Sequence, residues 1–250
     1  MKNLIFCLNL YDEEDMLPAC LQSIRKYYPD AKIVAVDGAY ESFVKQTIAE
    51  INFKLTMGQN SVAKCLERFT VPVSTDRTLE ILKDFGVETI IECKKSSEGN
   101  PLPWPSEVAK RSQYFVGKDG DYYFILDGDE RVVGSIAQEK LTEDAYTIML
   151  KRDDDTVPYK VLRIFKHQDG IHYEGAHHAL WVGDRLHTKN GIFNRMSDRI
   201  GDIHNADGVL VEHCQTQRTK LDPIRNMAKG AYYRHLTSCE EAAFRAQYRL

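Results

Sequence analysis

The sequence predicts an α/β protein with a parallel sheet in its first half, a strand-rich second half packed on the same sheet, and a helical tail. Three observations predict it. Residues 3–126 alternate short apolar runs with segments of helical periodicity, the pattern of a parallel sheet. Acidic residues follow three of those runs, where such sheets bind ligands. After residue 145 apolar and polar positions alternate, and from Asp222 the spacing turns helical to Leu250.

NLIFCLNL (3–10) has the length of a buried strand. In DEEDMLPACLQSIRKYY (12–28), Met16, Leu17, Cys20, Leu21, Ile24 and Tyr28 recur at helical spacing, and the acidic first turn and Pro18 are helix-opening signals. KIVAVDG (32–38) is a second strand, ending on Asp37-Gly38. Residues 41–73 are mixed and partly helical and fit no regular unit. STDRTLEILKDFG (74–86) reads as a capped helix with a terminal glycine, and VETIIE (87–92) as a third strand. CKKSSEGNPLPWPS (93–106) is a breaker-rich loop, EVAKRSQYFVGK (107–118) a helix and YYFIL (122–126) a fourth strand. AYTIMLKR, YKVLRIFKH, two short runs within GIHYEGAHHALWVG, and VLVEH (209–213) supply the later strands. The expected organisation is one domain over 1–250, in two halves divided near residue 133.

A chain of 250 residues, 43% hydrophobic and 28% charged, can bury one sizeable core. Its net charge of −4 gives no whole-chain signature of nucleic-acid or membrane binding. Six cysteines without a C-x-x-C pair, several in apolar runs, point to reduced and mostly buried thiols. MKNLIFCLNLYDEE lacks the apolar length and cleavage site of a signal peptide, and no stretch approaches a membrane span. A cytoplasmic protein with no integral membrane segment is expected.

The chemistry gathers on YYFILDGDERVV (122–133), where an apolar run meets Asp127, Asp129 and Glu130. Three carboxylates within four residues repel one another. Asp-Gly is a common hairpin dipeptide, so a solvated turn is one reading. The other is a divalent cation on hard oxygen ligands, which in turn binds phosphates. Asp12, Glu13, Glu14 and Asp37 also follow strands on the ligand-binding side of the expected sheet. No glycine-rich phosphate loop follows the first strand; NLYDEED is acidic and suits a nucleoside better than a phosphate.

The order of these pieces resembles the GT-A glycosyltransferases, and among them the family 2-like enzymes. FCLNLYDEEDMLPACLQSI and IVAVDG match their first two strands, STDRTLEIL their S-T-D-x-T helix start, and KRSQYF with YYFILDGDE their arginine-bearing helix and D-x-D strand. RIFKHQDGIHYEGAHHAL and VEHC, with the basic residues after it, resemble the acceptor-side half more loosely. One departure stands out: VDGAYES and VSTDRT, which normally adjoin, are separated by roughly 35 residues, making 41–73 an insertion beside the nucleotide pocket.

The resemblance implies a Rossmann-like mixed sheet whose first half, 1–133, binds a nucleotide-sugar and whose second, 134–250, faces the acceptor. It implies Mn2+ or Mg2+ held by Asp129 and His213, with Asp127 binding the metal through water or holding the ribose. Asp37 and Glu14 would meet the nucleoside, and Arg111 the base or diphosphate. Arg218 and Lys220 would meet the diphosphate. Glu174 in HYEGAHH is the candidate base, with His178 and His177 as competitors, and the stereochemistry stays open between inversion and retention. The bland alternatives are an exposed helix charge for Arg111, a backbone-bonded histidine for His213, ordinary packing for Trp104 and core for Trp181. The donor implied is a UDP-sugar and the acceptor unknown. The rival readings are a magnesium-dependent nucleotidyltransferase or phosphoesterase, and a non-catalytic carbohydrate-binding protein of the same fold.

Overall fold

The computed structural model describes residues 3–58, 71–174, 179–182, 185–188, 204–214 and 217. In chain order they form β1 (Leu4–Leu10), α1 (Leu17–Tyr27), β2 (Lys32–Asp37), α2 (Glu41–Thr56), α3 (Thr78–Asp84), β3 (Thr89–Ile91), α4 (Glu107–Arg111), β4 (Tyr122–Asp127), β5 (Glu130–Gly134), β6 (Ala145–Arg152) and β7 (Tyr159–Lys166). Then follow β8 (His172–Glu174), β9 (Ala179–Val182), β10 (Arg185–Thr188) and β11 (His204–His213).

Eight strands make one mixed sheet in the order β3-β2-β1-β4-β7-β6-β11-β5, and β10-β9-β8 make a second. The first four are mutually parallel, as the strand–helix alternation predicts. β7 runs antiparallel to β4 and to β6, β11 parallel to β6, and β5 antiparallel to β11. A parallel, Rossmann-like half is thus continued by a half of mixed strands, the mixed sheet that the motifs imply.

Alternation along β1 divides the core between the two faces of the sheet. Leu4, Phe6, Leu8 and Leu10 pack with α1 and α3. Ile5 and Cys7 pack with Trp104, Tyr114, Tyr123 and Ile125 on the other face. The sheet also curls. Two residues join β4 to β5, yet three strands lie between them in the sheet order. In a flat sheet four strand spacings would be ~19 Å. Three peptide steps reach ~11 Å at most. The sheet therefore wraps around α1, whose Ser23 hydroxyl accepts from Val132 N at 3.0 Å while the Tyr28 hydroxyl accepts from Ile136 N at 2.9 Å.

Several elements differ from expectation, each for a local reason. α1 begins at Leu17 with Pro18 in its first turn and no acidic residue there. Asp12 adopts φ 49° instead, and the backbone of 12–14 donates to Ser74, Thr78 and Asp76. The helix expected from residue 74 starts at Thr78 for the same reason: 74–77 are clasped to the strand ends. The helix expected over 107–118 is a single turn, Glu107–Arg111, that tightens into a 3₁₀ turn at Ser112–Tyr114 and buries Tyr114. Residues 41–56, part of the stretch that reads as mixed and partly helical, form one regular helix, α2. β5 has no counterpart in the sequence reading, and β11 starts five residues before the expected strand. The helical tail lies outside the described residues.

The chain on either side of residues 41–71 meets at one place beside the sheet. Ala39 N donates to Pro72 O at 2.7 Å. Gly38, at φ +110°, lets them meet, since a Cβ there would stand 2.7 Å from Pro72 O and closer still to Cys93 Sγ. The segment 74–78 thus returns to the end of β2 as though residues 41–73 had never intervened.

Candidate active site

Each carboxylate of Asp127-Gly128-Asp129-Glu130 meets its own cationic partner, which answers the repulsion that the sequence poses. Arg111 Nη2 donates to Asp127 Oδ1 at 2.9 Å. His213 Nε2 lies 3.3 Å from Asp129 Oδ2. Arg163 Nη2 donates to Glu130 Oε1. The segment is not a hairpin turn, because β5 pairs with β11 and not with β4. Its glycine packs flush on the end of β1: a Cβ on Gly128 would stand 2.9 Å from Leu10 Cδ2 and 3.1 Å from Glu13 Cγ.

His213 reaches this place from 84 residues away because β11 pairs with β5 in a register that sets His213 opposite Glu130. Cys214 N then donates to Asp129 O at 2.9 Å, tying the strand end to the loop. Burial works against a proton on His213. The hydrogen bond it donates to Asp129 and the charges of Asp129, Glu130 and Asp127 outweigh it, so its pKa is raised above the usual histidine value. The same negative potential suits a divalent cation. Two carboxylates and an imidazole are a fitting donor set for manganese or magnesium with phosphate oxygens completing the shell.

Arg111 is no exposed helix charge. It is 3% exposed, held between Glu107 Oε1 at 2.8 Å and Asp127, and fixes Asp127 from the α4 side. Its Nη1 is buried without a hydrogen-bond partner among the described residues. Next to it Lys110 is also buried, donating from Nζ to Leu10 O at 2.6 Å. Burial pushes its amine down to about 7, against the attraction of Asp37. The sequence reading missed Lys110, Glu130 and Arg163. Glu130 was visible as the third acid of the run, whereas no periodicity marks Lys110 or Arg163 as buried.

The nucleoside-side residues form a clasp. Asp37 is fully buried; Ser74 N donates to Oδ2 at 3.0 Å and the Ser74 hydroxyl to Oδ1. Burial raises its pKa, opposed by the Ser74 hydrogen bonds and the Lys110 charge. Asp12 Oδ1 accepts from Thr75 N at 2.8 Å, and Glu14 Oε2 accepts from Arg77 N at 3.0 Å. Asp37 and Glu14 therefore hold the 74–77 backbone in this state. Trp104 seals the same corner: its indole Nε1 donates to Asp37 O at 2.8 Å, and Glu41 N donates to its carbonyl at 2.8 Å.

Glu174 ends β8, which is moored beside α4 by Tyr173 N donating to Ser112 Oγ at 3.0 Å and by the Tyr114 and Tyr173 hydroxyls at 3.0 Å. Trp181 lies in β9. His177, His178, Arg218 and Lys220 lie outside the described residues. Among the described residues, the one group of three such side chains whose ligand atoms all lie within 4.8 Å of one another was not anticipated: Asp119, His167 and Asp169. It sits at the opposite end of β4, and its two aspartates are exposed.

No protein-family model matches the chain, and neither does any curated protein. Among solved structures the chain is similar to residues 1–349 of S. aureus TarS, at 12% identity and TM-score 0.49, covering 91% of this chain and 64% of that one. It is also similar to the same protein in complex with UDP (15% identity, TM-score 0.38, 64% of this chain and 38% of that one). The complex with UDP-GlcNAc gives 18% identity and TM-score 0.36 over 64% of this chain and 37% of that one. The chain thus spans less than two thirds of the structures it is similar to.

Proposed function

We propose that this protein is a metal-dependent glycosyltransferase that moves a sugar from a nucleotide-sugar, a UDP-sugar by preference, to an acceptor. The single observation that carries the reading is the meeting, 3.3 Å apart, of Asp129, in the link between β4 and β5, and His213, at the end of β11, brought together only by the fold, with Asp127 at the end of β4 held by Arg111. Asp129 and His213 would hold Mn2+ or Mg2+, with Asp127 binding through water or holding the ribose. A bound divalent ion supplies Lewis-acid neutralisation of the leaving nucleoside diphosphate.

The chain's own residues supply the rest. The clasp of Asp12, Glu14, Asp37 and 74–77 shapes the nucleoside end. Arg111 balances the charge on Asp127. Glu174, at the end of β8, is the candidate to accept the acceptor's proton, with His177 and His178 next in order. Arg218 and Lys220 are the candidates to meet the diphosphate. The work is that of one domain, 1–250, in a cytoplasmic setting; among the described residues no helix is long and apolar enough to cross a membrane.

A thermal-shift series with UDP and UDP-sugars, with and without manganese, tests the reading. Ligand at 100 times its dissociation constant adds about 2.7 kcal/mol of apparent stability. A manganese-dependent shift with UDP is the expected result. Equal shifts with and without the ion count against metal dependence, and none with any nucleotide against the transferase.

A further inference from the structure

We propose that Arg163 and Glu130 are a buried positioning pair that sets the geometry of the Asp127–Asp129 segment from behind, an inference that rests on the metal-dependent reading of that segment. Neither side chain is placed to touch a substrate: Arg163 is 4% and Glu130 1% exposed. Both act through the backbone of β4. Arg163 Nη1 donates to Ile125 O at 3.2 Å while Nη2 donates to Glu130 Oε1. Glu130 Oε2 in turn accepts from Asp127 N at 2.8 Å. One guanidinium thus fixes the strand before Asp127 and, through Glu130, the peptide that begins the turn.

The strand that carries Arg163 is irregular at that residue. β7 pairs with β6 as Ile164↔Tyr146 and then Leu162↔Thr147, so Arg163 is the extra residue of a β-bulge. The side chains agree: Leu162 and Phe165, three apart, share one core, where strict alternation would place them on opposite faces. The ladder between β4 and β7 also stops at Phe124↔Ile164. The next β4 carbonyl, of Ile125, is met by the Arg163 side chain rather than by a backbone N–H. The bulge frees β4 from its neighbour at Ile125, two residues before the acidic segment, and aims a planar two-point donor into the gap.

Stability alone does not account for such a pair. Removing two charges from water costs several kcal/mol per ion, roughly what their attraction returns. Here Arg163 Nε also stays buried without a hydrogen bond among the described residues. Apolar side chains of similar volume fill such a place about as stably. What they do not supply is an acceptor for Asp127 N and a donor for Ile125 O, the two contacts that fix where Asp127 and Asp129 point.

The test compares wild type, the double variant Arg163→Met/Glu130→Leu, and Arg163→Lys, which keeps the charge but not the two-point fork. For each, UDP affinity is measured in manganese and in chelator, together with the thermal midpoint. The expected result is a folded double variant with chelator-phase UDP affinity unchanged and the manganese-dependent gain cut about 10–100-fold, the usual effect of losing an outer-shell partner. Arg163→Lys is expected to lose about tenfold of the same gain, so the pair is tested even if the double variant fails to fold. A purely structural pair would lower the midpoint and both affinities together, and that outcome overturns the proposal. So does a manganese-dependent gain equal to wild type in the lysine variant. A wild type that binds UDP without any manganese-dependent gain overturns the metal reading itself, and the pair's role with it.

Discussion

β4 carries a group of carboxylates and a histidine at each end, and the two groups differ in what stands behind them. At its C-terminal end Asp127, Asp129 and Glu130 are matched one to one by Arg111, His213 and Arg163, two of these cations buried. At its N-terminal end Asp119 and Asp169 stand in solvent around His167, which is steadied by the Tyr123 hydroxyl at 2.7 Å on Nδ1. The two ends therefore differ in buried counter-charge: at an effective dielectric of ~20, unit charges 4 Å apart interact by ~4 kcal/mol, and near ~80 by ~1 kcal/mol. Water already supports the exposed group, whereas only the fold supports the buried one.

The comparison breaks first on Asp129. Asp129→Ala is expected to abolish the manganese-dependent part of UDP binding, measured by calorimetry, while the chain stays folded. If that part survives, the buried end is not the metal site and the exposed end inherits the assignment. Next in size, Glu174→Gln is expected to cut transfer by about 10²–10⁴-fold with donor affinity nearly unchanged, the usual worth of a general base. Loss of donor affinity instead would move Glu174 into the metal or diphosphate site, and near-normal turnover would pass the base role to His177 or His178.

A smaller effect concerns Lys110, whose amine is held near 7 by burial. An unfolded lysine keeps its proton to ~10.4. From about pH 7 to 9 the unfolded chain thus binds one more proton than the folded one at this site, and stability rises with pH. Relative to Lys110→Met, which lacks the group, wild type should gain up to about 1.4 kcal/mol per pH unit over that window. Urea midpoints at three pH values measure it; parallel curves would mean that the buried amine keeps its proton. The smallest effect is expected at the exposed end: Asp169→Ala should leave manganese-dependent UDP binding and the thermal midpoint as they were. A loss of that binding would erase the distinction between the two ends.

The parallel half was legible because its signals are local. A run such as IFCLNL or YYFILD reads as a strand within six residues, and acids at three such ends mark one edge of the sheet. His213 was legible only through the resemblance, since its place beside Asp129 depends on a strand pairing across more than eighty residues. Arg163 and Lys110 were not legible. A bulge that shifts alternation by one residue leaves no mark in composition, and a lysine on a five-residue helix looks solvated until Leu10 O is found above it. The acidic run 12–14 misled for a related reason. It has the composition of a first helical turn, but Ser74, Asp76 and Thr78 compete for its backbone, and they win.

The hydrogen bond from Ala39 to Pro72 makes the stretch between them a cassette. Its two doorposts stand side by side and are pinned to the sheet independently of whatever hangs between them, Gly38 by its fit against Cys93 and Pro72, Ser74 by its grip on Asp37. Length at such an address is nearly free, because each doubling of a closed loop adds only about 0.6 kcal/mol. Over generations this corner of the protein can therefore lengthen, shrink or trade its contents without disturbing the strand ends, which makes it the natural place for one member of a lineage to become unlike its cousins.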